Sequence, residues 1–512
     1  MYTVRSFFAA VLILGLPTTA CAQEKEKEKG KPESKVVYTY PETSITKHSI
    51  VINGERIAYT ATVGHLVLLD EKGVKRSHNF YIAYTKDQPK DKVNDVAQRP
   101  ITFAFNGGPG SSSVWLHMGA LGPKRVLMAD DGTSNGPPYT VVDNEFSWLD
   151  RTDLVFIDPI ETGYSRPAED VDKKEFTGYS EDLQSVGDFI HKYISENGRW
   201  SSPKFLAGES YGTTRAAGLS GYLQDRQGMY LSGIVLVSAV MNFQTLWGNE
   251  GNDLPYSLFL PSFAATAYYH GKLDKVRFPS QAVLLDEVER FALNEYTLFL
   301  MKGDRTTKEE RDAMALRLSV YLGIDKVVIE RNNYRIGTGT FTKELLRSDS
   351  RTIGRFDGTI KGIDRNDAGQ GYDFDPSYDL TVFGPYTAAI NDHLRNTLNY
   401  KNSDKVYEIL TGKVHPWNYG DAQNRFLNNA ETLRAAIHKN PRLRVLICNG
   451  YYDLATPYFA TEYTVDHMFL NEAFRNNITM TYYQGGHMMY TIKAELDKFT
   501  SDVRKFYDGA MK

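Results

Sequence analysis

A serine with a glycine two residues to either side, Gly208-Glu209-Ser210-Tyr211-Gly212, is the segment of this chain best suited to covalent chemistry. Ahead of it, Lys204 to Ala207 is a short, largely apolar run suited to a buried strand. Behind it, Tyr211 to Gln224 carries apolar residues at helical spacing. A sharp turn from strand into helix closes where the flanking residues lack bulk, and it leaves the serine hydroxyl exposed. The competing reading makes Ser210 a helix cap, a common use of serine. Five residues of this kind also occur by chance, so the strand and helix around them decide the reading.

A serine hydroxyl is a poor nucleophile until a histidine takes its proton, and that histidine needs a carboxylate to fix its tautomer and stabilise its charge. On a strand-serine-helix turn the chain order is Ser, then Asp or Glu, then His. That order prunes the 11 histidines. The strand-like run Arg444 to Cys448 leads into Asn449-Gly450-Tyr451-Tyr452-Asp453, and only His467 and His487 follow it. His467 lies within Ala460 to Leu470, which reads as a helix. His487 sits in Gln484-Gly485-Gly486-His487-Met488, directly after the strand-like Ile478 to Tyr483. Asp453 and His487 are therefore the expected partners of Ser210.

Acyl transfer also needs backbone donors for the developing oxyanion. One is the amide of the residue after the nucleophile, Tyr211; the other comes from an earlier strand-end loop, for which Asn106-Gly107-Gly108-Pro109-Gly110 is suited. Such preorganised donors are each worth ~3 kcal/mol of barrier. A phosphate-binding loop is excluded because no Gly-Lys-Ser/Thr follows at the required spacing. With no His-Glu-x-x-His and no paired cysteines, neither a metal nor a cofactor is expected.

The elements that must hold these residues alternate along the chain. Ile45 to Thr85 reads as antiparallel strands, with Asn53-Gly54 favouring a tight hairpin turn. Ile101 to Phe105, Leu154 to Ile157 and Ile234 to Val240 read as buried strands, and Ser180 to Tyr193 as a helix. This predicts the α/β class, an α/β-hydrolase fold with a mostly parallel central sheet covered on both faces. The alternation lapses where Gln281 to Met301 and Lys308 to Leu322 look helical and Arg331 to Pro385 is loop-rich. The expected organisation is a signal peptide over 1–22, a charged tether over 23–35, hydrolase core over 36–241, an inserted and mainly helical cap over 242–421, and the rest of the core over 422–512.

The 512-residue length suits one large α/β domain with an insertion, or two to three ordinary domains. A hydrophobic fraction of 41% with 24% charged residues is ordinary for a soluble globular protein. The net charge of -4 offers no basic excess, so neither a nucleic acid nor an anionic membrane is an expected partner. Arg5, the apolar stretch Phe7 to Leu16 and Ala20-Cys21-Ala22 read as an export signal too short to span a bilayer. Cleavage after Ala22 leaves Cys448 as the sole cysteine and no internal disulfide. A second route would lipidate Cys21 and anchor the protein to a membrane, although Thr18 stands where such signals usually carry leucine. Either route delivers the chain to the periplasm or the exterior. Gln23 to Lys35, alternating Glu and Lys with no apolar residue, has nothing to pack.

Taken in order, Asn106-Gly-Gly-Pro-Gly110, Gly208-Glu-Ser-Tyr-Gly212, Asn449-Gly-Tyr-Tyr-Asp453 and Gly485-Gly-His487 resemble the serine carboxypeptidase family; Asp158-Pro159 and Thr162-Gly-Tyr-Ser165 add to the likeness. The resemblance implies an exported serine peptidase that removes C-terminal residues from peptides with a free C-terminus. It also implies that the Gly108 and Tyr211 amides form the oxyanion hole, and that Asn106 and Glu209 bind the substrate's terminal carboxylate. Glu209 can donate a hydrogen bond only while protonated, and a nearby substrate carboxylate favours that state, so tighter peptide binding is expected in acid. Two positions depart from the pattern. Many family members carry Trp two residues before the loop's Asn and a second Glu shortly after the loop, where this chain has Ala104 and Ala120. The lack of disulfides, with the signal, suggests a bacterial branch. Rival readings keep the fold but make the substrate an ester or acyl donor, or leave a catalytically dead binding protein, against which the intact triad stands.

Overall fold

The computed structural model describes residues 39–88 and 98–512. The expected signal peptide, the tether and Cys21 lie outside the described residues. From Pro41 onward the chain is organised around one ten-stranded sheet. Strands β1 (Ser44–Ile52), β2 (Glu55–Leu69) and β3 (Lys75–Lys86) form an antiparallel meander. Its first turn is Asn53-Gly54, with φ of 51° and 79°. Two left-handed residues give the turn whose twist matches a hairpin, the reason Asn-Gly is favoured there.

The remaining major strands are β4 (Ile101–Phe105), β5 (Asp153–Ile157), β6 (Lys204–Ser210), β7 (Gly233–Ala239), β8 (Arg444–Gly450) and β9 (Ile478–Tyr483). Their order across the sheet, β1-β2-β3-β5-β4-β6-β7-β8-β9, is parallel from β5 to β9. Parallel strands need crossovers, and the crossover helices cover both faces, so these strands are near-continuous apolar runs. Side chains alternate between two cores. Phe205, Ala207, Val235 and Val237 face one side and pack with Phe499, Val503 and Tyr507. Leu206, Ile234 and Leu236 face the other and pack with Ile190, Leu219 and Ile437.

The helices supplying those contacts include α1 (Tyr179–Glu196) and α2 (Tyr211–Gln227). Between β7 and β8 come α3 (Leu254–Tyr269), α4 (Gln281–Phe291), α5 (Lys308–Leu322), α6 (Phe383–Asp392) and α7 (Ala430–Lys439). After β8, α8 (Tyr458–Asp466) leads toward β9, and α9 (Lys493–Ala510) closes the fold. Helices α3 to α5 build a third apolar core, into which Tyr452, Leu454 and Tyr458 from beyond β8 also pack. Helix α6 behaves differently: Tyr386, Ala389 and Ile390 join the core under the sheet. The segment between β7 and β8 thus grips the sheet from two sides.

Candidate active site

Ser210 stands where β6 turns into α2, with φ 58° and ψ -128°, a backbone state that non-glycine residues rarely adopt. The flanking glycines allow it. A Cβ on Gly208 would lie 2.2 Å from the Gly212 carbonyl oxygen, and one on Gly212 would lie 2.7 Å from that of Phe105.

His487 and Asp453 reach the same region from the loops after β9 and β8. His487 Nδ1 is 2.8 Å from Asp453 Oδ2, and both side chains are buried. The carboxylate is held from behind: Oδ1 accepts the amides of Ala455 and Thr456 at 2.8 and 2.9 Å, and Oδ2 accepts the Thr456 hydroxyl at 2.7 Å. Its charge has defined partners, as a buried carboxylate requires. The His487 backbone is fixed as well, since Ser238 Oγ donates to its carbonyl at 2.7 Å. Ser238 owes that position to an irregularity late in β7, where it takes φ 52°. Burial resists charging the imidazole, but Asp453, with Glu209 adding to it, outweighs burial and raises the His487 pKa above its ordinary 6.5.

The glycine loop after β4 packs backbone to backbone against the serine turn. A Cβ on Gly107 would fall 2.3 Å from the Tyr211 nitrogen and 2.8 Å from the Glu209 carbonyl oxygen. Gly108 has φ +102°, open to glycine but strained for other residues. Arg215 of α2 ties the two turns together, donating to the Asn106 carbonyl at 2.7 Å while paired with the buried Asp182 at 2.7 Å. Asn106 Oδ1 accepts the Leu116 amide at 3.0 Å, whereas its Nδ2 is buried and makes no hydrogen bond. That donor lies beside Glu209, whose ionised form it favours, without reaching full hydrogen-bond geometry. Glu209 is also buried, and Oε2 accepts the Tyr490 hydroxyl at 2.5 Å. Burial raises its pKa to about 7, against the pull of His487, the Tyr490 hydrogen bond and the neighbouring Asn106 amide; the Asp453 charge adds to the rise. Protonation is thus favoured by the fold itself, before any substrate carboxylate arrives.

The serine carboxypeptidase family model matches residues 59–501. The chain belongs to the serine carboxypeptidase family. Among relatives, the pheromone-processing carboxypeptidase KEX1 of Saccharomyces cerevisiae is 33% identical over 159 residues, 29% of this chain and 20% of that protein. Serine carboxypeptidase-like 35 of Arabidopsis thaliana is 26% identical over 255 residues, 46% of each chain. The chain thus spans a fifth to under a half of the length of these curated relatives. The solved structure of KEX1(delta)p, a prohormone-processing carboxypeptidase from S. cerevisiae, superposes with a TM-score of 0.54 at 17% identity, covering 87% of this chain and 91% of that one. This likeness shows the fold, an α/β-hydrolase with a mostly parallel sheet.

In this serine carboxypeptidase family member, Ser210, His487, Asn106, Gly108, Tyr211 and Glu209 all line one cavity of about 710 Å³, a volume suited to a small ligand or a peptide end. Asp453 lies behind it. Among the described residues no group of three or more His, Cys, Asp or Glu could hold a metal ion. Three further residues at the site had no readable signal in the sequence. Phe356, from the loop-rich stretch before α6, stacks on His487, with ring centroids 4.9 Å apart and 21° between planes. Its neighbour Asp357 accepts the Gly486 amide at 3.0 Å, and burial raises the Asp357 pKa to about 6. Tyr490 comes from the turn after His487; nothing but that nearness in sequence pointed to it.

Proposed function

We propose that this protein is an exported serine exopeptidase that releases C-terminal residues from peptides through a Ser-His-Asp acyl-enzyme mechanism. The observation carrying this reading is that Ser210 and the Asp453-supported His487 share a cavity with two buried, carboxylate-seeking groups, Glu209 and Asn106 Nδ2. A general hydrolase has no need of that second pair. The apolar segment Phe7 to Leu16 after Arg5 supports export.

In the proposed cycle a peptide enters with its free C-terminus toward Glu209 and Asn106. Protonated Glu209 donates its O–H, and Asn106 its N–H, to the terminal carboxylate. That fixes the last peptide bond at the serine, and positioning of this kind supplies a large part of the rate. Ser210 Oγ attacks the carbonyl carbon as His487 takes the hydroxyl proton, and the negative charge on the carbonyl oxygen is met by the amides of Gly108 and Tyr211. The C–N bond then breaks, the leaving amine takes the proton from His487, and the terminal amino acid departs. Water repeats the sequence on the acyl-serine, restoring Ser210 and releasing the shortened peptide. Asp453 holds the imidazole in the tautomer that presents its other nitrogen to the serine.

The segment between β7 and β8 is proposed as the cap that shapes this cavity, since Phe259, Phe356 and Tyr378 come from it. The test is a serine-directed fluorophosphonate probe applied with a free-acid peptide assay. Labelling and residue release should both be lost in Ser210→Ala; an unlabelled wild type, or equal labelling of the variant, removes the enzyme reading.

A further inference from the structure

The carboxyl of Glu209 has two oxygens with different surroundings. Oε2 is taken by the Tyr490 hydroxyl at 2.5 Å. Glu209 lines the cavity, whereas Tyr490 stands outside its wall and is 1% exposed. A hydroxyl has one proton to give, and here it goes to Oε2. While Tyr490 donates to Oε2, the proton of a protonated Glu209 sits on Oε1, the oxygen left for a ligand. The tyrosine ring is itself held in place. A Cβ on Gly119 would lie 2.4 Å from a Tyr490 ring carbon and 2.8 Å from the Tyr386 hydroxyl, so the ring rests on bare backbone beside Ala120.

We propose that Tyr490 is a positioning residue that orients the Glu209 carboxyl for reading a terminal carboxylate, a partner supplied from the turn after His487 because position 120 carries only a methyl group. This rests on the carboxylate-binding role proposed above for Glu209. Without the hydroxyl, Glu209 can rotate or place its proton on either oxygen, and one buried acceptor loses its donor. The titratable groups around Glu209 are His487 and Asp453 on the loops after β9 and β8, Tyr490 on its own turn and Tyr386 on α6. Of these, His487 and then the Tyr490 hydrogen bond favour the ionised carboxylate. Removal of the Tyr490 hydroxyl should therefore extend the protonated form to higher pH even as it loosens the orientation.

The experiment compares wild type, Tyr490→Phe and Glu209→Ala, which removes the donor altogether, on one peptide sequence offered as the free acid and as the C-terminal methyl ester. In Tyr490→Phe the free-acid to ester ratio of kcat/KM should fall roughly tenfold, through KM, while the alkaline limb of the free-acid profile moves up by about one pH unit. A residue that only fills space would not move that limb. Gly119→Ala, which displaces the ring but keeps the hydroxyl, should lower the same ratio. A wild-type ratio and limb in Tyr490→Phe overturn the proposal if Glu209→Ala still loses free-acid preference. If Glu209→Ala also keeps the wild-type ratio, the carboxylate reading of Glu209 fails, and the role of Tyr490 fails with it.

Discussion

Phe356 lies almost flat on His487 and accepts the histidine's backbone amide with its own carbonyl. A residue from the segment inserted between β7 and β8 thus fixes both the ring plane and the main chain of the expected general base. The segment between β7 and β8 therefore holds the imidazole as well as lining the cavity.

Replacing Phe356 by Ala should free the imidazole to rotate. Ring stacking is worth about 0.5–1.5 kcal/mol beyond area burial, and a misplaced base loses attack geometry as well. We expect kcat to drop about tenfold or more, with similar losses on peptide and ester, checked by steady-state kinetics on both.

Thr456 Oγ1 donates to the Asp453 oxygen that also faces His487, at 2.7 Å. Thr456→Val keeps the shape and removes that donor, leaving a buried carboxylate one hydrogen bond short. A hydrogen bond to a charged group is worth about 1.5–3 kcal/mol. Denaturant unfolding should show a loss in that range, and fluorophosphonate labelling should slow.

The contact between the two glycine turns predicts an asymmetry among glycines. Gly107→Ala drives a methyl group into the Tyr211 nitrogen, whereas a Cβ on Gly337 meets nothing within 4 Å. Overpacking costs about 1–3 kcal/mol, and here the obstacle is backbone. Gly107→Ala should destabilise by at least that much and lose serine labelling; Gly337→Ala should fall within about 0.5 kcal/mol of wild type.

Much of this arrangement was readable before any coordinates. Ile101–Phe105 and Ile478–Tyr483 are strands over the residues expected, because continuous apolar runs bounded by turns leave few alternatives. His467 closes a helix and His487 meets Asp453, as chain order and the glycines around His487 suggested. Phe356 and Tyr490 were not readable, because each acts through a contact between segments far apart in sequence, and Thr456, only three residues past Asp453, lies on no periodic pattern. The rise in the Glu209 pKa was expected from a substrate's charge; burial already produces it.

The pH dependence follows from two groups with opposite needs. In the proposed cycle His487 must be neutral to accept the serine proton, so its raised pKa should move the acid limb of activity upward. In the same cycle Glu209 must be protonated to donate, so binding of free-acid peptides should weaken as pH rises through about 7. The kcat/KM profile for a free-acid peptide should be a bell whose two limbs belong to a coupled pair. Glu209→Gln, which donates at every pH, should lose the alkaline limb; an unchanged limb would assign it to another group.

In the proposed function the cavity reads a free C-terminus before Ser210 attacks. The most direct measurement is release of the last residue from one peptide, as the free acid and as the C-terminal amide, at and below pH 7, with Ser210→Ala as the blank. Release should be rapid from the free acid, slight from the amide, and absent from both in Ser210→Ala. Equal turnover of acid and amide by the wild type would contradict that reading.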